Sequence, residues 1–259
     1  MSGAAEDRER DFWDHHVPTL DECVAEYERG PDVYSRAMIE ALRPGPGTKI
    51  LDFACGAGVT SAWLAAHGGE VVGVDLSPTS IRRAEELRSA LGLSYETRVV
   101  GPTPGDVDVG VRFDGVAGRF ALHHLDLSAF GPALAAVLRP GGTAAFVETM
   151  ATNPLLRLSR KALVGRFGIA RFGTTDEHPL TRRDLEGLRA NFGSLEVRTP
   201  GMVFFHLIDR QVLRGRRPAL GRYLTAADRA LARSKRLGSL SYHQVIVLRK
   251  EPARVPTTG

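Results

Sequence analysis

Two hydrophobic rhythms divide the chain. Up to about residue 47 the apolar positions recur at helical spacing. Asp21 to Tyr27 follows a Thr19 cap, and Val33 to Leu42 carries a second apolar face. The run Arg43-Pro44-Gly45-Pro46-Gly47 then breaks the helical pattern. From Thr48 short apolar runs alternate with amphipathic stretches. Strands are predicted at Lys49–Phe53, Glu70–Asp75, Tyr95–Val100, Phe113–Gly118 and Thr143–Thr149. Helices are predicted at Val59–His67, closed by Gly68-Gly69, and at Pro78–Leu91, between a Ser77 cap and Gly92. A third helix is predicted near Leu127–Leu138. This alternation predicts a parallel sheet covered by helices on both faces.

After Met150 the rhythm lapses. Asn153–Phe172 is basic and amphipathic, Thr181 caps a helix to Asn191, and Leu195–Arg198 reads as a strand. Phe204–Arg214 and Leu220–Arg236 read as helices, and Tyr242–Leu248 is a β-rich run. There is no internal repeat. The organisation is therefore a helical segment 1–47, a strand–helix core 48–150, and a region 151–259 that adds cap elements and further strands.

Composition changes this picture little. Hydrophobic residues make up 43% and charged residues 25%, which fits a folded globular chain rather than a disordered one. Two cysteines, Cys23 and Cys55, cannot form a disulfide framework. There is no apolar run of about 18 residues, as a membrane helix needs, and the polar, acidic start is unlike a signal peptide. A cytoplasmic location is the expectation.

Charge changes it more. Residues 1–150 hold 13 Lys/Arg against 22 Asp/Glu, a balance of −9, whereas residues 151–259 hold 21 against 8, a balance of +13. An acidic small-molecule partner, an anionic membrane surface or packing between the two halves each fits that asymmetry. RNA fits less well, because between Arg210 and Arg236 the only aromatic is Tyr223. For Leu155–Phe172 a pocket cap is preferred over a membrane-surface helix. Oligomeric state is not legible.

The chemistry lies in Ile50-Leu-Asp-Phe-Ala-Cys-Gly-Ala-Gly58, a glycine-rich turn between the first strand and the first core helix. Such a turn lets backbone approach a ligand, and the helix start offers unsatisfied N–H groups. Asp75 follows at the end of the second strand, where a carboxylate accepts from ribose hydroxyls. Dinucleotide dehydrogenases use a similar arrangement, and Gly56-Ala-Gly58-Val-Thr-Ser61 nearly matches their fingerprint.

Five segments in order resemble one family, the class I S-adenosylmethionine-dependent methyltransferases of small-molecule, bacterial type. Ile50–Gly58 resembles its first motif, hydrophobic-hydrophobic-Asp-x-Gly-Cys-Gly-x-Gly. Val71–Ala84 resembles its ribose strand and following helix, and Phe113–Leu125 its fourth strand and active-site loop. Val137-Leu-Arg-Pro-Gly-Gly142-Thr resembles the turn before its fifth strand, and Asp176–Leu185 a segment of some small-molecule members. Leu-Arg-Pro-Gly-Gly and Leu-His-His-Leu have no place in a dehydrogenase.

The resemblance implies a Rossmann-like, doubly wound, mostly parallel seven-stranded α/β sheet with the last strand antiparallel, and helical cap or lid elements. It makes 1–47 an N-terminal helical lid, 48–150 the cofactor-binding core, and 151–259 cap insertions plus C-terminal strands completing the sheet. S-adenosylmethionine is the implied cofactor. Asp52, Gly56 and Gly58 would hold its methionine end, Asp75 its ribose, and Leu76 its adenine, with Ala54 and Phe120 beside it. Ala54 replaces the first glycine of the motif, which is tolerable with a negative φ. Where the family often has an Asp after its third strand, this chain reads Val100-Gly101-Pro102, with Asp106 and Asp108 further on.

Candidate catalytic groups are His123, His124 and His178. Histidine titrates near neutral pH and takes a proton from a hydroxyl. Of the adjacent pair, His123 is preferred as base and His124 as the ring held inside the sheet edge. Trp13, His15, His16 and Tyr27 are candidates for a lid over the cofactor. Cys55 reads as a small buried residue, and no Cys/His spacing matches a metal site, so no metal is expected.

The implied activity is methyl transfer to a small-molecule acceptor, with a hydroxyl in bacterial secondary metabolism as the expected target. Open alternatives are an N- or C-methyltransferase, a membrane-peripheral lipid or quinone methyltransferase, and a cofactor-binding cyclase that does not methylate.

Overall fold

The computed structural model describes residues 3–101, 112–154, 179–202, 205 and 218–253. His178, Asp106, Asp108, the basic stretch 155–172 and most of 204–214 lie outside the described residues. The chain opens with three helices, α1 (Gly3–His15), α2 (Leu20–Arg29) and α3 (Val33–Leu42). The core then alternates: β1 (Lys49–Phe53), α4 (Val59–Ala66), β2 (Glu70–Asp75), α5 (Pro78–Leu91), β3 (Glu96–Val99) and β4 (Phe113–Arg119). A 3-10 turn at Leu122–His124 leads to α6 (Leu127–Val137) and β5 (Leu138–Thr149). The remaining described elements are α7 (Arg182–Arg189), β6 (Ser194–Arg198), α8 (Pro218–Ala232), α9 (Lys235–Gly238) and β7 (His243–Arg249).

The strands form one seven-stranded sheet in the order β3-β2-β1-β4-β5-β7-β6. The pairings β3-β2, β2-β1, β1-β4 and β4-β5 are parallel, and β7 runs antiparallel to both β5 and β6. This is the Rossmann-like sheet, with an antiparallel last strand, that the resemblance implies. The order reverses beside β1, so the crevice for a ligand lies at the carboxyl ends of β1, β2 and β4.

Alternation along each strand feeds two cores. Leu51, Phe53, Val116, Phe146 and Ile246 pack with Phe130 and Leu134 of α6 and Leu188 of α7. Ile50, Ala117, Val147 and Val245, on the other face, pack with Met38 and Leu42 of α3 and Trp63 and Leu64 of α4. Central strands are therefore apolar on both faces, which explains why they read as continuous hydrophobic runs.

Local signals fix the helix starts. Thr19 and Glu22 form a capping box on α2, Thr181 and Asp184 form one on α7, and Ser77 Oγ accepts from Ser80 N–H ahead of Pro78 on α5. Two elements differ from the sequence reading by more than two residues. β5 starts at Leu138 rather than Thr143, because Leu138 pairs with Phe113 before residues 139–142 bulge out and Thr143 resumes pairing at Gly115. The single helix expected over Leu220–Arg236 is two: Ser234 N–H donates to Leu231 O, a tight turn that ends α8.

Candidate active site

Residues from the glycine-rich turn and the strand ends enclose a cavity of about 320 Å³. Its floor comes from Phe53 to Ala57 after β1, Asp75 and Leu76 after β2, and Arg119 to Ala121 after β4. Val100 and Gly101 add a wall beyond β3, and Glu9, Trp13 and His16 of the N-terminal segment cover it. The turn is held by its backbone: Cys55 N–H donates to Val74 O and Gly58 N–H to Cys55 O. Gly58 has φ 83°, and a Cβ there would stand 2.7 Å from Ala84 Cβ and 3.0 Å from Tyr95 OH. Only glycine lets α4 start against α5 in this way. No side chain caps α4, so its first N–H groups remain directed toward the cavity end of the helix.

Ala54 corrects the expectation of a negative φ. Its φ is 55°, the left-handed region, which costs a non-glycine residue about 1–2 kcal/mol. Phe120 is also left-handed, at φ 56°, and its N–H donates to Val147 O. Two strained positions on one cavity wall are what a chain retains where ligand geometry matters.

Asp75 sits between two backbone donors. Gly56 N–H donates to Oδ2 at 2.9 Å and Ser77 N–H to Oδ1 at 2.9 Å. Each oxygen thus spends one lone pair on fixing the carboxylate and keeps another for a hydroxyl. Burial pushes its pKa up, against those backbone hydrogen bonds. Asp52 is placed differently from Asp75. It does not line the cavity but lies fully buried behind it, accepting from Ser61 Oγ at 2.6 Å. Burial pushes its carboxyl up to about 6, with Ser61 and the Arg119 charge opposing and Asp75 adding to the rise. Two buried carboxylates that resist ionisation make a site that a cation would relieve.

Arg119, at the carboxyl end of β4, brings a positive charge to the same cavity floor. One of its terminal nitrogens lies 3.0 Å from Glu26 Oε1, and the guanidinium lies 5.4 Å from the Trp63 ring centroid. Its Nε is buried without a hydrogen-bond partner among the described residues. The spacing of the sequence did not single out Arg119 or Glu26.

The histidines are arranged opposite to the expected order. His123 does not line the cavity, and its Nδ1 lies 2.9 Å from Glu148 Oε2 near the carboxyl end of the interior strand β5. Glu148 is fully buried, and its Oε1 also accepts from Ala121 N–H at 2.8 Å and Leu122 N–H at 2.7 Å. His124 is the ring on the cavity wall. Its Nδ1 lies 3.0 Å from Glu9 Oε1, and Trp13 stands edge-on to it at 6.4 Å. The two rings stay adjacent on the short 3-10 turn after Phe120, 4.1 Å between centroids, but His123 reaches Glu148 and His124 the cavity. Glu148 and Glu9 were missed, because nothing local in the sequence marks either as a partner of this loop.

The remaining candidates divide. Trp13 and His16 line the cavity, whereas His15 is exposed and its Nδ1 lies 2.6 Å from its own helix's Asp11 O. Tyr27 packs on the second core and its carbonyl accepts from Trp63 Nε1–H. Leu76 and Phe120 line the cavity, and Gly58 sits behind it. Cys55 lines it too, but burial drives its thiol well above the ordinary value, away from the reactive thiolate. Among the described residues no group of three or more His, Cys, Asp or Glu could hold a metal, and no helix is long and apolar enough to cross a membrane.

A nucleoside carrying a zwitterionic, positively charged tail fits this set. Asp75 presents fixed acceptors, Arg119 has an unsatisfied donor, and the buried carboxylates favour a cation. Residues 50–142 match the family described as "Methyltransferase domain". The ubiquinone biosynthesis O-methyltransferase of Methylobacterium nodulans is 32% identical over 198 residues, covering 73% of this chain and 77% of the relative. That of Chelativorans sp. (strain BNC1) is 30% identical over 197 residues, covering 73% and 72%. In structure, the geranyl diphosphate C-methyltransferase of Streptomyces coelicolor A3(2), solved with S-adenosyl-L-homocysteine, superposes with a TM-score of 0.63 at 12% identity, covering 97% of this chain and 99% of that one. Motifs, sheet order and relatives agree: the chain belongs to the class I S-adenosylmethionine-dependent methyltransferases, with S-adenosylmethionine as its cofactor.

Proposed function

We propose that this methyltransferase acts on a hydroxyl group of a small molecule, with His124 as the general base. The observation that carries this reading is the His124 ring on the wall of the cofactor cavity, at the carboxyl end of β4. A hydroxyl is a weak nucleophile until it loses its proton, so a base beside the reacting atoms is what O-methylation uses. The O-methyltransferase names of the two relatives support the same reading.

In this reading Asp75 takes the ribose hydroxyls, Leu76 and Val100 flank the adenine, and Arg119 takes the methionyl carboxylate. Asp52, Ala54, Gly56 and Gly58 shape the turn beneath the methionine end, and Phe120 closes the wall next to it. The N-terminal segment 1–47 acts as lid, 48–150 as core, and 151–259 as the acceptor-facing part. The bound cofactor supplies a methyl group made electrophilic by the sulfonium. The protein's residues then align the acceptor, exclude water and receive a proton on the His124 ring.

The test is incubation with methyl-labelled cofactor and a panel of phenols, catechols, amines and acidic-carbon compounds. The expected product is a methyl ether heavier by one methylene. His124→Ala is expected to lower turnover by about 10²–10⁴-fold while cofactor affinity stays nearly constant. Label found only on nitrogen or carbon, or a product of unchanged mass, would end the hydroxyl reading.

A pH dependence follows from Asp52. Its carboxyl titrates at about 6 in the free protein, above its usual 3.8. A cation in the cavity favours the ionised form and draws that midpoint down. Affinity for S-adenosylmethionine is therefore full above this midpoint and falls as the pH drops below it, by at most about tenfold per unit. S-adenosylhomocysteine lacks the sulfonium charge and should show a shallower dependence. Calorimetry at about pH 5 and about pH 7.5 reads the difference; equal slopes for the two ligands would show that Asp52 does not sense the sulfonium.

A further inference from the structure

Among its described side chains, the polar helix α1 carries one buried carboxylate. Glu9 is 5% exposed, whereas neighbouring Asp7 and Arg10 pair with each other at the surface, 3.2 Å apart. A carboxylate is buried at a cost unless partners meet it. Glu9 Oε1 accepts from Trp13 Nε1–H at 2.6 Å, one turn along the same helix, and lies 3.0 Å from His124 Nδ1, across the cavity mouth. The two side chains of the His124–Glu9 pair are 11% and 6% exposed.

The far end of α1 is anchored separately. Asp14 Oδ1 accepts from Ser77 Oγ–H at 2.5 Å and from Thr79 N–H at 3.4 Å, at the start of α5. The Ser77 hydrogen bond draws Asp14 below its ordinary pKa. The helix thus bridges the α5 start, beside Asp75, and the β4 loop that carries His124.

We infer that Glu9 is a positioning residue for His124, orienting the ring through Nδ1 and favouring its protonated form at the cavity wall, and that docking of α1 is a step in assembling the base. A carboxylate at Nδ1 fixes the tautomer and stabilises the imidazolium formed on proton uptake. With a bound cofactor the acceptor oxygen's pair would form the bond to the methyl carbon as the C–S pair leaves with sulfur, while the His124 ring holds the acceptor's proton and later gives it to water. This role rests on the hydroxyl reading only for its use in catalysis; the pair itself does not.

Other charged and titratable groups face His124. The His123 ring lies tilted against it at 4.1 Å between centroids and is itself tied to Glu148. His16, Glu26, Asp75 and Arg119 line the same cavity. Glu9 is the carboxylate 3.0 Å from Nδ1, so its removal should shift the ring's titration.

The test is an NMR titration of the imidazoles in the full chain saturated with S-adenosylhomocysteine, with the His124 signal assigned by its loss in His124→Gln. Glu9→Gln is expected to lower the His124 midpoint by about one unit or more, and Asp14→Asn to lower it in the same direction by loosening the helix. A midpoint unmoved in Glu9→Gln overturns the inference. The unaltered protein offers a second reading should that variant fail to fold. The Trp13 indole N–H, distinguished from Trp63 by Trp63→Phe, should move with the same midpoint as His124; an indole signal blind to that titration also overturns it. A shifted midpoint without any hydroxyl acceptor would uphold the pair and end the O-methylation reading, and an ether product with an unmoved midpoint would do the reverse.

Discussion

Glu148→Ala is expected to lower folding stability by about 3–5 kcal/mol, the cost of breaking a buried charged network from one side. Glu148 is 0% exposed and carries three contacts at once: the N–H groups of Ala121 and Leu122 on Oε1 and the His123 ring on Oε2. Alanine leaves all three donors facing a small cavity. Unpaired buried N–H groups cost about 1–3 kcal/mol each, so the backbone pair alone accounts for most of the loss. In a chain of this size that is a fall in Tm of about 10 °C. Glu148→Gln keeps an acceptor for the two backbone donors and should lose much less, because only the His123 contact changes character. Urea unfolding of the three proteins reads the series. An alanine variant within about 1 kcal/mol of the parent, well under the cost of a broken buried network, would mean that Glu148 does not hold this loop. The consequence reaches function, since the turn that Glu148 pins is the one that presents His124 to the cavity.

That network shows where sequence reasoning runs out. The fold was legible because its signals are local. Thr19, Ser77-Pro78 and Thr181 cap helices within three residues of themselves, and the β1 and β2 runs are apolar on both faces because both are covered. The glycine-rich turn and Asp75 were legible for a similar reason, as a short-range pattern tied to a strand end. Glu148 was not: within Phe146-Val147-Glu148-Thr149 it reads as an ordinary polar position, and its partners lie 25–27 residues back in the chain. Glu9 lies still further from His124 in sequence. The order of His123 and His124 was misread because it is set by the backbone turn after Phe120, whose left-handed φ of 56° has no glycine to announce it. Ala54 misled in the same manner, since alanine gives no hint of a positive φ.

The second large effect falls on cofactor affinity. Asp75→Ala is expected to weaken binding of S-adenosylmethionine by about 10²–10⁴-fold, in line with two hydrogen bonds to a charged acceptor at about 1.5–3 kcal/mol each. The argument starts from how the carboxylate is held. Gly56 and Ser77 N–H groups fix its two oxygens before any ligand arrives, so binding costs little ordering of this side chain. Alanine removes the ribose acceptors and strands those two donors, loosening the turn that ends in Gly58 and the start of α5. Asp75→Asn separates the two effects. One amide oxygen can still serve Gly56 or Ser77, but the amide nitrogen is a donor where the ribose hydroxyl also donates, so affinity should stay low while stability recovers in part. Both variants should lose affinity for S-adenosylhomocysteine nearly as much as for S-adenosylmethionine, because the ribose is common to the two. Asp52→Asn should spare S-adenosylhomocysteine more, since Asp52 acts on charge through the wall of the site rather than by contact. Calorimetry with the two ligands on the three variants gives the pattern. An Asp75→Ala protein that folds and binds within a few-fold of the parent, far less than one charged hydrogen bond is worth, would move the ribose to another part of the cavity and leave Asp75 as a brace for the α5 start.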